Sequence, residues 1–378
     1  MADLLFEIGA EEIPAGFAPA ALQQLAQDLA KALDDARLAH GEVRAVGTPR
    51  RLAVWAREVA PRQGDAISQA LGPPVAQAFD ASGNPTPAAA GFARSQGVEV
   101  AALERVETPK GLRLAVTKVE KGRKAAQVVP AILDRLVAGL RFKKAMRTRA
   151  EDVTFARPVR WMVALLDGKP VPVRYGEIRG GRVTHGHRFL APGAIPLSGK
   201  PEEYVARLRK AHVVVDPDER RTAVEKELAR AARKAGGSLR PDESLVEQVT
   251  WLVEHPTGIA GTFEKSNLEL PPEVVISEMR NHQRYFAVVD DHGRLQNRFV
   301  AISGTPVKDP AVARHGYERV LRARLADARF FFEEDRKRRL VDRIEDLGRR
   351  TYQARLGSEL DRVHRIGAVA SDLARALG

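Results

Sequence analysis

The stretch Leu245 to Gly304, LVEQVTWLVEHPTGIAGTFEKSNLELPPEVVISEMRNHQRYFAVVDDHGRLQNRFVAISG, constrains this chain most, because it ties an apolar helix-and-hairpin pattern to a tight basic cluster. Pro271-Pro272 starts a helix in which Val275, Ile276 and Met279 point inward. Arg280, His282 and Arg284 gather at its end, where cations complement the helix dipole. Asp290-Asp291-His292-Gly293 then reads as a hairpin turn between Tyr285 to Val289 and Phe299 to Ser303. Its carboxylates are turn residues rather than a catalytic dyad, so the stretch reads as scaffold.

The remainder alternates strand and helix patterns. Asp3 to Ile8, Arg51 to Val59 and Leu112 to Val119 read as strands. Ala18 to Leu33 places Leu22, Leu25, Leu29 and Leu33 at helical spacing, and a second helix spans Gln127 to Leu140. An α/β layer is the simplest assembly. Phe79 to Gly97, rich in Ala, Gly and Pro, reads as a loop leading into a short helix. A second unit begins near Ala150, with strands at Val159 to Leu166, Val171 to Ile178 and Arg182 to Leu190 in an antiparallel start. Helices follow at Glu202 to Lys210 and at Asp218 to Ala235, the latter capped by Asp216 or Asp218 and ended by Gly236-Gly237. From Val312 the pattern is helical, with Leu321, Leu325, Ala328 and Phe332 on one stripe. Charge runs on long helices are usually solvated, so a helix linking two domains is expected there.

With 378 residues, 44% of them hydrophobic and 29% charged, the chain can bury two or three cores. Its apolar runs, such as Trp161 to Leu166, fall far short of the roughly 20 residues a membrane helix needs. The acidic start Met1-Ala2-Asp3 lacks the basic region of a signal peptide, so a cytoplasmic location is expected. The absence of cysteine excludes disulfides, thiolate metal sites and a cysteine nucleophile. His185 and His187 would share one face of a strand. No Glu or third His lies near them in sequence, so they read as hydrogen-bonded strand histidines or imidazoles near a phosphate, and no metal is expected.

The net charge of +12 is unevenly spread. Residues 141–160 hold Arg141, Lys143, Lys144, Arg147, Arg149, Arg157 and Arg160 against Glu151 and Asp152 alone. Such a segment suits a polyanion, because each neutralised phosphate releases condensed counterions. The competing explanation is a solvated basic surface. Aromatic residues make up only 6%, and Trp55, Trp161 and Trp251 sit in apolar segments as core residues. Contact with the phosphates and 2′-hydroxyls of a folded RNA, not DNA, fits better than base stacking. Chemistry-bearing motifs are missing. Gly193 to Lys200 is no phosphate loop, since its glycines are wrongly spaced and Pro201 replaces Ser or Thr. Thr184-His185-Gly186-His187 does not reproduce the HIGH motif, no KMSKS-like partner exists, and no Ser-His-Asp set stands out. No catalytic residue is expected here.

Met279-Arg280-Asn281-His282-Gln283-Arg284-Tyr285-Phe286 closely resembles the signature of the bacterial glycyl-tRNA synthetase beta subunit family. Further matches run in order: Glu7 to Pro14, Thr48 to Ala53, Gly83 to Pro87 with Gly91 to Gly97, Phe155 to Arg160, Gly186 to Leu190 and Leu325 to Phe332. Lys143, Ala145 and Thr148 depart from the family's usual Pro-Lys-Ser, Met-Arg and Trp pattern, and Tyr317 stands where Asn is usual. The family continues through a complete HD-like domain and an anticodon-binding domain, so the chain resembles an N-terminal portion.

The resemblance implies an α+β, multidomain chain. Its expected parts are an N-terminal α/β region (1–150), a domain like B3/B4 of phenylalanyl-tRNA synthetase (151–310), a basic helical linker (311–350) and the start of an HD-like helical domain (351–378). It further implies an α2β2 assembly in which the alpha subunit activates glycine with ATP and Mg²⁺, while this chain binds no cofactor and holds tRNA-Gly. The expected RNA contacts are Arg141, Lys143, Lys144, Arg147, His187, Arg188, Arg280, His282, Arg284, Arg319, Arg322, Arg324 and Arg329. Hydrolytic editing is not expected, since every competing side chain is larger than that of glycine. The rival readings are a structural subunit that touches alpha but not tRNA, and a general RNA-binding protein.

Overall fold

The first strand, β1 (Ala2–Ala10), reads ADLLFEIGA without polar alternation because both of its faces are buried. The computed structural model describes residues 1–80, 82–147 and 153–378 and divides into two units. Thr148, Arg149, Ala150, Glu151 and Asp152, which carry part of the basic segment and the expected domain boundary, lie outside the described residues.

Unit 1 comprises Met1–Arg220 and Thr250–His255. In it β1 pairs antiparallel with both β3 (Arg51–Val59) and β7 (Val159–Leu166), so that Phe6 lies opposite Val54 and Ala164. β2 (Val43–Thr48) extends the sheet beyond β3, and β8 (Ile178–Gly181) runs parallel to β7 on the other side. Leu4, Phe6 and Ile8 face α1 (Ala18–Asp35) and α3 (Ala125–Gly139), meeting Leu25, Leu29, Ile132 and Leu133. Each such burial contributes roughly 1.5–3 kcal/mol. Leu5 faces the opposite layer with Trp55, Val163, Leu165, and Tyr204 and Leu208 of α4 (Pro201–Lys210). The sheet takes strands from both sides of residue 150, so the break expected there falls within one layered core. A smaller sheet of β4 (Ala66–Pro74), β6 (Gly111–Glu120) and β5 (Glu104–Thr108) packs Leu114 with Ala89 of α2 (Pro87–Gln96).

The expected long strands Val171 to Ile178 and Arg182 to Leu190 are corrected to short pieces, most of them paired antiparallel. Among the described residues only short pieces pair there: Lys169–Pro170 antiparallel to the end of β7, Arg174–Tyr175 antiparallel to β8, β8 itself parallel to β7, and β9 (Val183–His185) antiparallel to Ala194–Pro196. Pro170 and Pro172 cannot donate to a ladder, and Gly180 lies against Ala164 and Val173 where a side chain would crowd them.

Unit 2 comprises Arg221–Val249 and Pro256–Gly378. Most of α5 (Pro217–Ala235) belongs to it; the helix is capped by Asp216, which accepts from the Asp218 amide at 2.9 Å, and is followed by Gly236 at φ 77°. A four-stranded sheet runs Ser238–Leu239, β11 (Phe286–Val289), β12 (Leu295–Ser303), β10 (Thr257–Thr262). Asp290 closes the hairpin by accepting from the amides of His292 and Arg294, each at 2.9 Å, as a turn residue should. The 27-residue α7 (Pro310–Arg336) is no solvated linker: Leu321 and Leu325 join Phe263, Met279, Tyr285 and Phe299 in this unit's core. The final helix, α8 (Glu359–Leu377), exposes Val363, Ile366, Val369 and Leu373. Among the described residues no helix is long and apolar enough to cross a membrane.

Candidate nucleic-acid interface

Four of the ordered motifs meet at one end of the unit 1 sheet. Thr48 lies opposite Arg51 across the β2–β3 hairpin, leaving Pro49-Arg50 as its two-residue turn. The Pro49 and Arg50 carbonyls accept from the Ile13 and Ala10 amides at 2.6 and 2.8 Å, and the Glu11 amide donates to the Pro158 carbonyl at 3.1 Å. Arg188 closes the fourth side, bonding Glu12 at 2.6 Å and Glu11 at 2.9 Å. These motifs therefore lock chain segments together.

Beneath them lies a buried ionic network. Glu7, fully enclosed on the α4 side of β1, accepts from the Trp161 indole, from Thr184 Oγ1 at 2.6 Å and from Tyr204 Oη at 2.5 Å. Arg51, also at 0% exposure, donates to Glu254 Oε1 at 3.2 Å, to Thr184 Oγ1 at 3.3 Å and to the His185 carbonyl at 2.7 Å. Thr48 Oγ1 donates to the same Glu254 oxygen at 2.6 Å. Burial works to raise the Glu254 carboxyl, but Arg51, the Thr48 hydroxyl and Arg50 outweigh it and hold the group below its ordinary range. Burial, then Glu7, pushes the Tyr204 phenol well up. Nothing in this network is free to act on a substrate; it fixes the sheet end. Sequence reasoning missed it, although a lone Glu inside the run LLFEI was a usable signal.

The signature segment has its own geometry in unit 2. After α6 (Pro272–Ser277) the helix widens into a π-turn over Glu278–Gln283 and stops at Arg284, whose φ is 60°. The Tyr285 amide closes the turn on the Met279 carbonyl at 3.0 Å. Such widened turns are rare and concentrate at functional sites. Val275 and Met279 point inward as expected. Tyr285 stacks on Phe299 at 4.6 Å, and Tyr317, the residue that departs from the family pattern, meets Tyr285 edge-on at 5.6 Å.

A sequence profile described as Glycyl-tRNA synthetase beta subunit matches residues 4–377. The chain belongs to the glycyl-tRNA synthetase beta subunit family. It is 76% identical over 378 residues to the glycine--tRNA ligase beta subunit of Anaeromyxobacter dehalogenans (strain 2CP-C), covering 100% of this chain and 54% of that protein. The counterpart in Myxococcus xanthus (strain DK1622) is 51% identical over 376 residues, covering 100% and 53%. That of Syntrophotalea carbinolica is 48% identical over 374 residues, covering 99% and 54%. The chain thus spans about half the length of the curated relatives it matches.

The cations expected to touch RNA in this beta-subunit-family chain fall into three groups. Arg188, Arg280, Arg322 and Arg329 are engaged internally: Arg280 bonds Asp242 at 2.6 Å, Arg322 approaches Glu264 at 3.5 Å and Arg329 approaches Glu269 at 3.3 Å. Arg284 donates to the Arg280 carbonyl at 3.1 Å, and His282 stands 3.8 Å from Glu278. His187 is buried, its Nδ1 accepting from the Phe189 and Leu190 amides at 3.3 and 3.4 Å. Arg141, Lys143 and Lys144 in unit 1, and Arg319 and Arg324 on α7 in unit 2, are exposed and have no side-chain partner among the described residues. Arg147 is exposed, a few residues along the chain from Lys143 and Lys144.

The two strand histidines do not share a face. The strand ends at His185, which sits edge-on to Trp161 at 5.0 Å, and His187 lies on the following turn. Among the described residues no group of three His, Cys, Asp or Glu is placed to hold a metal ion.

Proposed function

We propose that this chain is the RNA-holding part of a glycine--tRNA ligase. It binds tRNA-Gly and positions the 3′ end so that an alpha subunit, using ATP and Mg²⁺, transfers glycine from glycyl-adenylate. The gain is one of proximity: the attacking hydroxyl is delivered to an adenylate formed on another chain. In this reading the assembly is α2β2 and cytoplasmic, and residues 351–378 open an HD-like domain. The observation that carries the reading is the family match along residues 4–377. The five unpartnered cations supply its physical basis, since solvated charges without internal partners are the ones available to phosphates.

The test is glycylation of tRNA-Gly by alpha alone, by alpha with this chain, and by alpha with a full-length beta chain. Alongside it, tRNA affinity is measured across a salt series. Lys143→Ala with Lys144→Ala, or Arg319→Ala with Arg324→Ala, should weaken tRNA binding and lower the salt slope by about 1 per lost phosphate contact, leaving association with alpha intact. Unchanged tRNA affinity in both pairs would favour the structural-subunit reading, which the internal engagement of Arg280, Arg322 and Arg329 supports. Full turnover by this chain without alpha would reject the division of labour.

A further inference from the structure

Unit 2 contains a cleft of about 1030 Å³ along the free edge of its sheet, lined by β10, the end of α5 and the start of α7. Among the described residues β10 pairs only with β12, so its other side is an open edge. The Phe263 amide donates to the Asn297 carbonyl at 3.2 Å, which sets the phase of the ladder. Thr257, Ile259 and Gly261 bond inward, while Gly258, Ala260 and Thr262 turn their backbone groups outward.

The two outer positions are already occupied. The Gly258 amide donates to Glu227 at 2.9 Å, and its carbonyl accepts from Arg230 at 3.1 Å. The Thr262 amide donates to Glu318 at 2.9 Å. These caps block the addition of a further strand, which is how exposed edges are commonly protected. Between them the N–H and C=O of Ala260 have no side-chain partner among the described residues and face the cleft side by side.

The charges around this position are unequal. The cleft's acids are committed: Asp309 caps α7 through the Ala311 and Val312 amides at 2.8 and 3.2 Å, and Glu318 holds Thr262. Lys234 and Arg298 have no acidic partner among the described residues. Pro306, Val307 and Pro310 provide an apolar wall.

A ligand that fits must be compact, because strand addition is blocked. It must place a donor beside an acceptor to match the N–H and C=O of one residue, and it must carry negative charge. A nucleotide meets all three conditions: the Watson–Crick edge of every base offers an adjacent donor and acceptor, and its phosphate is anionic. We propose that this cleft binds a single nucleotide, its base edge on the Ala260 N–H and C=O and its phosphate on Lys234 and Arg298. None of these three residues belongs to the set expected from sequence, and the inference stands whether or not the chain holds tRNA-Gly.

The test is equilibrium binding to residues 1–378 with AMP as the probe and ribose 5-phosphate as the comparator. AMP should saturate one site and bind about tenfold or more tighter than ribose 5-phosphate, the difference expected from hydrogen bonds to the base. Lys234→Ala with Arg298→Ala should weaken AMP by about tenfold or more, as loss of charge-assisted contacts implies, without changing the thermal melt. Ala260→Pro removes the donor at an edge position where proline is tolerated and should bring AMP down to the ribose 5-phosphate level. Competition separates the sources: displacement of AMP by a single-stranded oligoribonucleotide but not by an RNA duplex supports an unpaired RNA residue, and displacement only by free nucleotides supports a mononucleotide. Equal binding of AMP and ribose 5-phosphate, wild-type AMP affinity in the Lys234/Arg298 variant, or displacement by an acidic peptide alone would overturn the proposal.

Discussion

Arginines do opposite work in the two units. At the end of the unit 1 sheet, Arg51 is completely enclosed and spends its donors on Glu254, Thr184 and a backbone carbonyl. On α7 of unit 2, Arg319 and Arg324 stand in solvent without a partner among the described residues, while Leu321 and Leu325 beside them are buried. Desolvation makes the first guanidinium a structural element whose pairing cannot be broken cheaply. Hydration leaves the second group available to an external polyanion.

The sharpest way to break this comparison is Glu254→Ala. It strands Arg51 in the interior and should cost about 3–5 kcal/mol, read from urea denaturation. Replacing both partners with apolar residues, Arg51→Met with Glu254→Leu, should recover much of that loss. A single-variant loss no larger than that of a surface substitution would mean the network is not structural.

Next in size is Gly9→Ala. A Cβ there would sit 1.9 Å from the Trp161 ring, so the indole must shift off its bond to Glu7. Overpacking of this kind costs roughly 1–3 kcal/mol, and Trp161 fluorescence should move with it. An unshifted emission spectrum and unchanged stability would show that the ring has slack.

A smaller effect follows from His185. Burial holds its imidazole below 6.5; Glu7 opposes this, while Arg51 and Arg50 reinforce it. The unfolded chain therefore binds a proton at this residue before the folded chain does, so stability is present above about pH 6.5 and declines as pH falls toward the depressed folded value. His185→Asn should flatten the pH dependence of stability in that window. A profile that stays as steep as wild type assigns the slope to other groups.

The smallest change in stability belongs to Arg319→Ala with Arg324→Ala, within about 0.5 kcal/mol per site, as expected of exposed positions. A large loss of stability here would erase the contrast with Arg51. An unchanged tRNA salt slope would keep the contrast and remove its functional meaning.

Much of the fold could be read from local pattern. The leucine spacing of α1 placed Leu25, Leu29 and Leu33 in the core, and the apolar settings of Trp55, Trp161 and Trp251 marked all three as buried. The Asp216 cap, the Gly236 stop and the Asp290 turn were each legible because the chemistry that forms them lies within a few residues. The short strands after Leu166 were not, since β-branched runs there looked like strands while Pro170, Pro172 and the glycines denied them a ladder. The expected RNA contacts were legible only as a list of cations. Whether a given arginine is spent or spare depends on an acid far away in sequence, as with Arg280 and Asp242 or Arg329 and Glu269.

By itself the sequence determined where the helices and the long strands lie, which side chains are apolar enough to be buried, and which family the ordered motifs resemble. These properties reside in hydrophobic period, capping residues and turn chemistry, all of them short-range. Only the tertiary structure decided that Glu7, Arg51, Thr184, Tyr204 and Glu254 form one buried network, that α7 belongs to a core, and that Ala260 lies open beside Lys234 and Arg298. Those outcomes depend on which distant residues share a low-dielectric interior or a solvent-facing edge, and no local pattern encodes the distance between them.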